Sequence, residues 1–187
     1  YLVTTKSSPL TYHKGMSHLH GFTDASFKSN DGSGKSQMAF VFMFAGAAVS
    51  WRTCRQNVVA TSTQQAEYGA LALGGQEGLF LRNLLFEFED TRTSPTPIAG
   101  GNPVEIFTDN DGAIKSVLKA QTTSGTRHFT KAWHFLRDVV AKRLLDIRFV
   151  TGHHQLADSL TKITIPRNRI TAHRTALLGN QQAETSL

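Results

Sequence analysis

Residues 37–56 read QMAFVFMFAGAAVSWRTCRQ, two apolar runs with a glycine between them. Residues 38–44 and 48–55 each have the length and the aromatic and β-branched content of a strand. Gly46 lies between the runs, where a tight turn suits a residue without a side chain. This stretch predicts two antiparallel strands, and the rest of the fold extends from them.

The chain before this hairpin adds a further strand. Residues 18–27 combine apolar side chains with Asp24 near the carboxyl end. Residues 29–36, SNDGSGKS, form a dense cluster of turn-forming residues between this strand and the hairpin. Three strands joined by such short turns predict an antiparallel meander.

A long helix is predicted after the hairpin. Ser62 and Gln65 fit a capping box at its start. It carries an apolar stripe at helical spacing, formed by Leu81, Leu84, Leu85 and Phe88. Its glycines either let the backbone approach a sheet or a ligand closely or reflect sequence drift; they are Gly69, Gly74, Gly75 and Gly78.

The remaining elements complete the predicted fold. Residues 104–108 form a short buried strand that ends at Asp109, and a short helix follows. A second amphipathic helix surrounds Trp133, a strand spans 146–151, and a last helix begins within 155–161. The order β-β-β-α-β-α-α-β-α predicts an α/β fold with a mixed five-stranded sheet, three antiparallel strands followed by two parallel ones, and flanking helices.

The composition is that of a folded chain with a core. Of the 187 residues, 40% are hydrophobic and 18% are charged, which excludes wholesale disorder. The single cysteine, Cys54, excludes an internal disulfide framework. The longest apolar run, 12 residues from 38 to 49, is shorter than the roughly 18 that a membrane helix needs, so no membrane partner is expected.

The net charge of +6 is unevenly distributed. Residues 61–111 carry eight acidic and two basic side chains, whereas residues 112–187 carry twelve basic and four acidic ones. Residues 1–60 are also basic, with six basic and two acidic side chains. An acidic middle between basic flanks predicts a carboxylate-lined site framed by surfaces that attract a polyanion, although a solubility pattern without a ligand gives the same distribution.

Four acidic residues stand at the ends of predicted elements. Asp24 lies late in the first strand, and Asp109 follows the apolar residues of the fourth. Glu67 lies in the first turns of the long helix, and Asp158 lies at the head of the last one. If the first and fourth strands are central neighbours, their two acids emerge side by side, and the helix starts bring the other two over the same edge.

These acids predict a metal site. Clustered carboxylates repel one another unless cations lie between them. Hard oxygen ligands favour Mg²⁺, with Mn²⁺ as a substitute, over zinc. Two such ions about 3.5–4 Å apart can activate the attacking water and stabilise the leaving oxygen in phosphodiester hydrolysis. For any one of the acids alone, a helix cap or a surface charge is the alternative.

The segments that contain these acids also carry a family resemblance. They are FTDAS (22–26), AEY (66–68), FTDN (107–110) and QLADSLTK (155–162). In that order they resemble the ribonuclease H domain of retroelements. The segments VSWR (49–52) and ATSTQQAEY (60–68) narrow the resemblance to the copia-type (LTR) retrotransposon Pol polyprotein.

The resemblance implies a division of the chain. Residues 19–165 would form the ribonuclease H-like domain. Residues 1–18 would be a connector from the preceding polymerase region, and residues 166–187 a loose, basic C-terminal tail.

The resemblance also implies an activity, namely an endonuclease that hydrolyses the RNA strand of RNA–DNA hybrids by two-metal-ion catalysis during reverse transcription. Its partner would be the reverse transcriptase domain of the same polyprotein, in cytoplasmic virus-like particles or in the nucleus. The family's metal-binding and catalytic acids correspond to Asp24, Glu67, Asp109 and Asp158. Integrases and transposases place their third carboxylate, usually Glu, last. The position of Glu67 before two aspartates therefore favours ribonuclease H.

The loop before QLADSLTK departs from the copia pattern because it contains His153 and His154. It is similar to the histidine-bearing loop of cellular ribonucleases H, where a histidine assists proton transfer or product release. The resemblance implies a catalytic role for one of the two without telling which. A plain surface position is the alternative.

The residues expected to contact the substrate form three groups. Basic residues at a helix start are predicted to meet phosphates, or to form a solvated face: Arg127, His128 and Lys131. Residues at and beside the acids are candidates for contacts with 2′-hydroxyls: the backbone around Ala25 and Ser26, Glu67 itself, and Asn110. Basic residues near the C-terminus either add salt-sensitive affinity or stay solvated: Lys162, Arg167, Arg169 and Arg174.

Two other functions stay open. One is a domesticated or degenerate module that binds nucleic acid or a protein without cutting, against which the four intact acids argue. The other is a DNA-cutting or strand-transferring relative, which cleavage of duplex DNA would reveal.

Overall fold

The computed structural model describes residues 7–27, 34–90, 102–118, 130–162 and 164–180. Within these ranges the chain forms five strands and five helices. In chain order they are β1 (His20–Ser26), β2 (Gln37–Phe44), β3 (Ala47–Arg55), α1 (Thr63–Asp90), β4 (Val104–Thr108), α2 (Asp111–Leu118), α3 (Thr130–Ala141), β5 (Leu145–Phe149), α4 (Asp158–Thr161) and α5 (Arg167–Leu177). None of the helices described is long and apolar enough to cross a membrane.

The strands form one mixed sheet in the order β3-β2-β1-β4-β5. The first three pair antiparallel, whereas β4 pairs parallel with both β1 and β5. The turn between β2 and β3 uses Ala45 and Gly46, whose φ angles are 53° and 82°. The predicted α/β fold, with three antiparallel strands followed by two parallel ones, is confirmed.

Helices cover both faces of the sheet. Alternate residues of β2 lie on opposite faces: Phe42 joins a core with Leu71 of α1, whereas Val41 joins a second core with Leu156, just before α4. The strand is apolar on both faces because neither is left to water. The central strand β1 is thereby fixed between two packed layers.

The glycines of α1 bring its backbone close to the sheet. A Cβ atom at Gly74 would lie 2.4 Å from Cγ2 of Thr23 in β1. One at Gly78 would lie 3.1 Å from the Phe42 ring. Of the two interpretations of these glycines, close approach to a sheet is therefore confirmed for this part of the helix. The close packing sets the distance between α1 and the strand that carries Asp24.

The apolar stripe at the end of α1 is only partly buried. Leu81 and Leu85 pack against the core, but Leu84 is 40% exposed and Phe88 is 64% exposed. A helix of 28 residues is about 42 Å long, whereas a strand of nine residues spans about 30 Å. The helix is longer than the sheet it packs on, so the helical periodicity alone overstated burial there.

The prediction of a loose C-terminal tail is wrong for residues 167–177, which form helix α5. His173 is buried on its inner side, and the carbonyl of Leu178 accepts a 2.8 Å hydrogen bond from the amide of Thr11. The predicted element order therefore lacks one helix. Residues 181–187 lie outside the described residues, and the proposed domain boundaries stay predictions.

Candidate metal centre

The parallel pairing of β1 with β4 brings two aspartates to the same edge. Phe22 in β1 is the register partner of Phe107 in β4. Two residues further along each chain come Asp24 and Asp109, so the two carboxylates leave the sheet side by side. The expected juxtaposition of these acids is confirmed by this register. β1 is central, so Asp24 is buried.

The start of α1 delivers the third acid. The hydroxyl oxygen of Ser62 accepts a 3.2 Å hydrogen bond from the amide of Gln65, as in a capping box. The Gln65 side chain accepts from the amide of Thr61, one residue earlier than the motif requires. One turn into the helix, Oε2 of Glu67 accepts a 3.1 Å hydrogen bond from the backbone amide of Ala25. The helix start is thereby joined to the end of β1.

The fourth acid is held by a buried side chain that reaches β1. Nε2 of Gln155 donates a 3.0 Å hydrogen bond to the carbonyl of Thr23, the residue before Asp24. Asp158 follows at the first position of α4 and is fully buried. Thr161, at the end of the same helix, donates its hydroxyl to Asp24. α4 and the residues just before it are therefore attached to β1 at two points.

These contacts gather the carboxylates within ligating distance of one another. One oxygen each of Asp24, Asp109 and Asp158 lies within 4.8 Å of the other two. Burial raises the pKa of Glu67 to about 9, and the nearby charges of Asp24 and Asp109 also raise it. Burial raises the pKa of Asp24 as well, and the hydrogen bond from Thr161 opposes that rise. The site concentrates more negative charge than buried carboxylates tolerate alone.

Two basic side chains neutralise part of this charge. Nζ of Lys162 lies 2.5 Å from Oδ1 of Asp158 and 3.9 Å from Oδ1 of Asp24. The guanidinium of Arg169, from α5, pairs with Oδ2 of Asp158. Partial burial works to lower the pKa of Lys162, but the hydrogen bond to Asp158 and the charge of Asp24 raise it overall. Both oxygens of Asp158 are thus paired with cations.

The histidine loop lies beside the same edge. A Cβ atom at Gly152 would lie 3.6 Å from Oδ2 of Asp109, so the loop backbone passes this carboxylate. The next two residues, His153 and His154, are exposed, and their rings meet edge to face with centroids 5.3 Å apart. The loop is near the acids, and a catalytic role for either ring stays a prediction.

The residues predicted to contact the substrate differ in how accessible the structure leaves them. The amide of Ala25 is already donated to Glu67, and Ser26 is half-buried at the end of β1. Oδ1 of Asn110 accepts from the amide of Ala113, so this side chain caps α2. Lys131 is exposed on α3, where Trp133 faces the core as predicted. Two of the predicted basic residues lie outside the described residues: Arg127 and His128.

Sequence reasoning gave no role to several residues that hold the site. Gln155 and Thr161 fix α4 and the residues just before it to β1, whereas the sequence predicts for Lys162 and Arg169 either affinity for nucleic acid or a solvated position. The spacing of Asp158 and Lys162, four residues apart at a helix start, is the signal that indicates their pairing. Arg169 gave no such signal because its helix was not predicted.

The donor set suits a hard divalent cation. Asp24, Asp109 and Asp158 offer only carboxylate oxygens, which favour Mg²⁺ or Mn²⁺ over softer metals. The raised pKa of Glu67 reflects burial and the repulsion that such a cation would relieve. The residues present therefore fit the predicted metal, and the identity of the ion stays a proposal.

The chain is similar in sequence to parts of transposon polyproteins. No protein-family model matches it. It is 29% identical over 171 residues to the retrovirus-related Pol polyprotein from transposon TNT 1-94 of Nicotiana tabacum, covering 90% of this chain. It is 29% identical over 163 residues to that of transposon RE1 of Arabidopsis thaliana, covering 87%. The chain spans 11–12% of the length of these relatives.

Two solved structures resemble this chain in fold, at low sequence identity. The protease-reverse transcriptase of prototype foamy virus matches with a TM-score of 0.50 and 16% identity, over 93% of this chain and 22% of that one. LC11-RNase H1, solved in complex with an RNA/DNA hybrid, matches with a TM-score of 0.47 and 16% identity, over 79% and 96%. The chain is thus similar in sequence to the retrovirus-related Pol polyproteins of transposons, and similar in fold to part of the foamy-virus protease-reverse transcriptase.

Proposed function

We propose that this domain is a metal-dependent endonuclease that hydrolyses the RNA strand of RNA–DNA hybrids, as part of reverse transcription by a copia-type retrotransposon. The observation that carries the proposal is the cluster of Asp24, Asp109 and Asp158, whose oxygens lie within 4.8 Å of one another. A domain that only binds a polyanion gains nothing from buried carboxylates, which repel phosphates. A hydrolase that uses divalent cations needs them.

Each acid has a proposed role in holding two ions. Asp24 and Asp109 would anchor the ions, and Glu67 and Asp158 would each contribute to the site of one of them. When bound, Mg²⁺ or Mn²⁺ supplies activation of the attacking water and neutralisation of the charge that develops on the phosphate. Cleavage of the P–O3′ bond leaves a 5′-phosphate and a 3′-hydroxyl.

The chain's own contacts orient these ligands. Thr161 donates to Oδ2 of Asp24, and Oδ1, which lies 3.9 Å from Nζ of Lys162, would be the oxygen that holds an ion. Gln155 fixes the backbone beside Asp24 through the carbonyl of Thr23. A carboxylate held by buried hydrogen bonds, as that of Asp24 is, needs little rearrangement when a cation binds, which favours catalysis.

The substrate contacts of this proposal lie around the acids. The backbone around Ala25 and Ser26 and the Asn110 side chain would meet 2′-hydroxyls. His153 or His154 would assist proton transfer or product release beside Asp109. The basic residues proposed for phosphates are Arg127, His128 and Lys131. The reverse transcriptase domain of the same polyprotein would be the physiological partner, in virus-like particles.

Cleavage of a labelled RNA–DNA hybrid tests the proposal. We expect Mg²⁺-dependent cleavage of the RNA strand that Asp109→Asn abolishes. The matched control is Asp111→Asn, two residues later, because Asp111 is exposed and pairs with Lys115 on α2. Full activity of Asp109→Asn would overturn this mechanism, whereas hybrid binding by the unaltered chain without any cut would favour a non-catalytic binding module. Cleavage of duplex DNA would favour a DNA-cutting relative.

A further inference from the structure

Asp158 differs from the other acids of the site in having a cation on each oxygen. Lys162 lies 2.5 Å from Oδ1, and the guanidinium of Arg169 pairs with Oδ2. Oδ2 of Asp24 takes a hydroxyl from Thr161, and Oε2 of Glu67 takes the amide of Ala25. Both oxygens of Asp158 are therefore paired with cations, whereas on the other side of the site the nearest of these cations, Nζ of Lys162, is 3.9 Å from Oδ1 of Asp24.

The two cations reach Asp158 by different routes. Lys162 is four residues away along the chain, directly after α4, and it follows Asp158 wherever that helix moves. Arg169 comes from α5, a separate element that begins at residue 167. Its pairing with Asp158 is a contact between elements, so it can form and break without distorting α4.

The Arg169 contact is incomplete as an ion pair. A fully engaged guanidinium gives a carboxylate two parallel hydrogen bonds. Here Nη2 faces Asp158, while Nε of Arg169 is buried without a hydrogen-bond partner. An unpaired buried N–H costs free energy, which makes this arrangement easier to displace than a bidentate pair.

α5 is held in place without Arg169. Nδ1 of His173 lies 2.7 Å from the hydroxyl of Ser159, and Nε2 lies 3.0 Å from the carbonyl of His153. Beyond the helix, the carbonyl of Leu178 accepts from the amide of Thr11. The Arg169 side chain can therefore leave Asp158 while its helix stays docked.

We propose that Arg169 competes with one of the two metal ions for Asp158, so that the site fills in two separated steps. The ion held by Asp24, Glu67 and Asp109 binds first. The ion whose ligand set Asp158 completes binds only as the Arg169 guanidinium withdraws. The guanidinium is then free to contact a substrate phosphate. This inference rests on the proposed two-metal function.

Titration of the metal-free chain with Mn²⁺, followed by calorimetry and by electron paramagnetic resonance of free Mn²⁺, tests the order of filling. We expect a tight and a weak site in the unaltered chain. Arg169→Gln should tighten the weak site about 5-fold or more and leave the tight one unchanged. Arg174→Gln, which removes the same charge from an exposed position of α5, should leave both affinities unchanged.

Thermal unfolding gives a second readout that a merely structural role would not reproduce. Without metal, Arg169→Gln should unfold at a lower temperature than the unaltered chain, because Asp158 loses a counter-charge. With saturating Mn²⁺ the difference should shrink. Identical isotherms together with an unchanged difference in unfolding temperature would overturn the inference. Failure of the unaltered chain to bind any Mn²⁺ would instead overturn the proposed function.

Discussion

The start of α1 and the start of α4 both bring a buried carboxylate to one edge of the sheet. The two carboxylates differ in how their negative charge is neutralised. Glu67, on α1, has a backbone amide as its hydrogen-bond partner, and burial together with nearby acids raises its pKa to about 9. Asp158, on α4, has Lys162 and Arg169 on its two oxygens. One acid is neutralised by a proton and the other by cations.

The difference means that a metal ion must displace a different group on each side of the site. An ion that binds near Glu67 displaces a proton, whereas an ion that binds at Asp158 displaces a guanidinium. A proton exchanges with solvent freely, but a side chain must find a new position. The two halves of one carboxylate cluster therefore have different costs of filling.

The largest expected effect is on the free energy of unfolding, which two isosteric substitutions should change in opposite directions. In metal-free protein at pH 7, Asp158→Asn should lower the free energy of unfolding by about 3 kcal/mol, because it leaves partly buried cations unpaired. Glu67→Gln should raise it, by about 1 kcal/mol or more, because the folded state no longer has to take up a proton. Urea unfolding in a chelator measures both. Equal effects of the same sign would remove the distinction between the two helix starts.

The position of Glu67 depends on the close approach of α1 to β1, and Gly74 tests this. A Cβ at this position meets Cγ2 of Thr23, a stiff β-branched side chain, at 2.4 Å. Gly74→Ala should therefore cost about 2 kcal/mol of stability and weaken Mn²⁺ binding.

Gly75→Ala is the matched control for this change. Its Cβ would lie 3.1 Å from Cδ1 of Leu145, 3.2 Å from Cδ2 of Leu136 and 3.3 Å from Cε1 of Phe135. Shifts of a few tenths of an ångström relieve these contacts, and the gain in helix propensity of about 1 kcal/mol offsets their cost. Urea unfolding compares the two variants. Equal stability of both would mean that α1 can shift without cost.

The pH dependence of the chain's stability follows from the raised pKa of Glu67. The folded chain keeps this proton up to a pH of about 9, whereas the unfolded chain loses it near 4.5. Because the folded state binds more protons between these values, stability falls as the pH rises, with a slope of at most about 1.4 kcal/mol per pH unit. Asp24, whose pKa is also raised, acts in the same direction. Glu67→Gln should flatten the slope in metal-free unfolding curves from pH 5 to 8, and an unchanged slope would assign it to other groups.

The side of the site formed by strands was predictable from the sequence. Asp24 and Asp109 each follow a strand pattern, and parallel neighbours end at the same edge, so their proximity follows once the first and fourth strands are taken as neighbours in the sheet. Glu67 was predictable because the capping residues Ser62 and Gln65 fix where α1 starts.

The side formed by α5 was not predictable in the same way. Its inner face consists of His173, Ala176 and Leu177, which give too weak an apolar stripe to distinguish a docked helix from a basic tail. The pairing of Arg169 with Asp158 depends on where that helix packs, and packing is a tertiary property. The apolar stripe predicts that Leu84 and Phe88 are buried, but both are exposed. Helical periodicity does not reveal where the sheet under the helix ends.

The smallest expected effect concerns how α5 is held beside Asp158. The carbonyl of His153 can only accept, so Nε2 of His173 carries a proton, and in the neutral ring Nδ1 accepts from the hydroxyl of Ser159. Ser159→Ala should therefore lower stability by about 1 kcal/mol. Thr175→Ala, which removes an exposed hydroxyl bonded within α5, should change it less.

A double variant then relates this contact to Arg169. If His173 holds α5 independently of the ion pair at Asp158, the effects of Ser159→Ala and Arg169→Gln on metal-free stability should add to within about 0.5 kcal/mol. A larger coupling would mean that Arg169 is needed to dock the helix. The guanidinium could then not leave Asp158 without releasing α5, and the two sides of the site would fill as one.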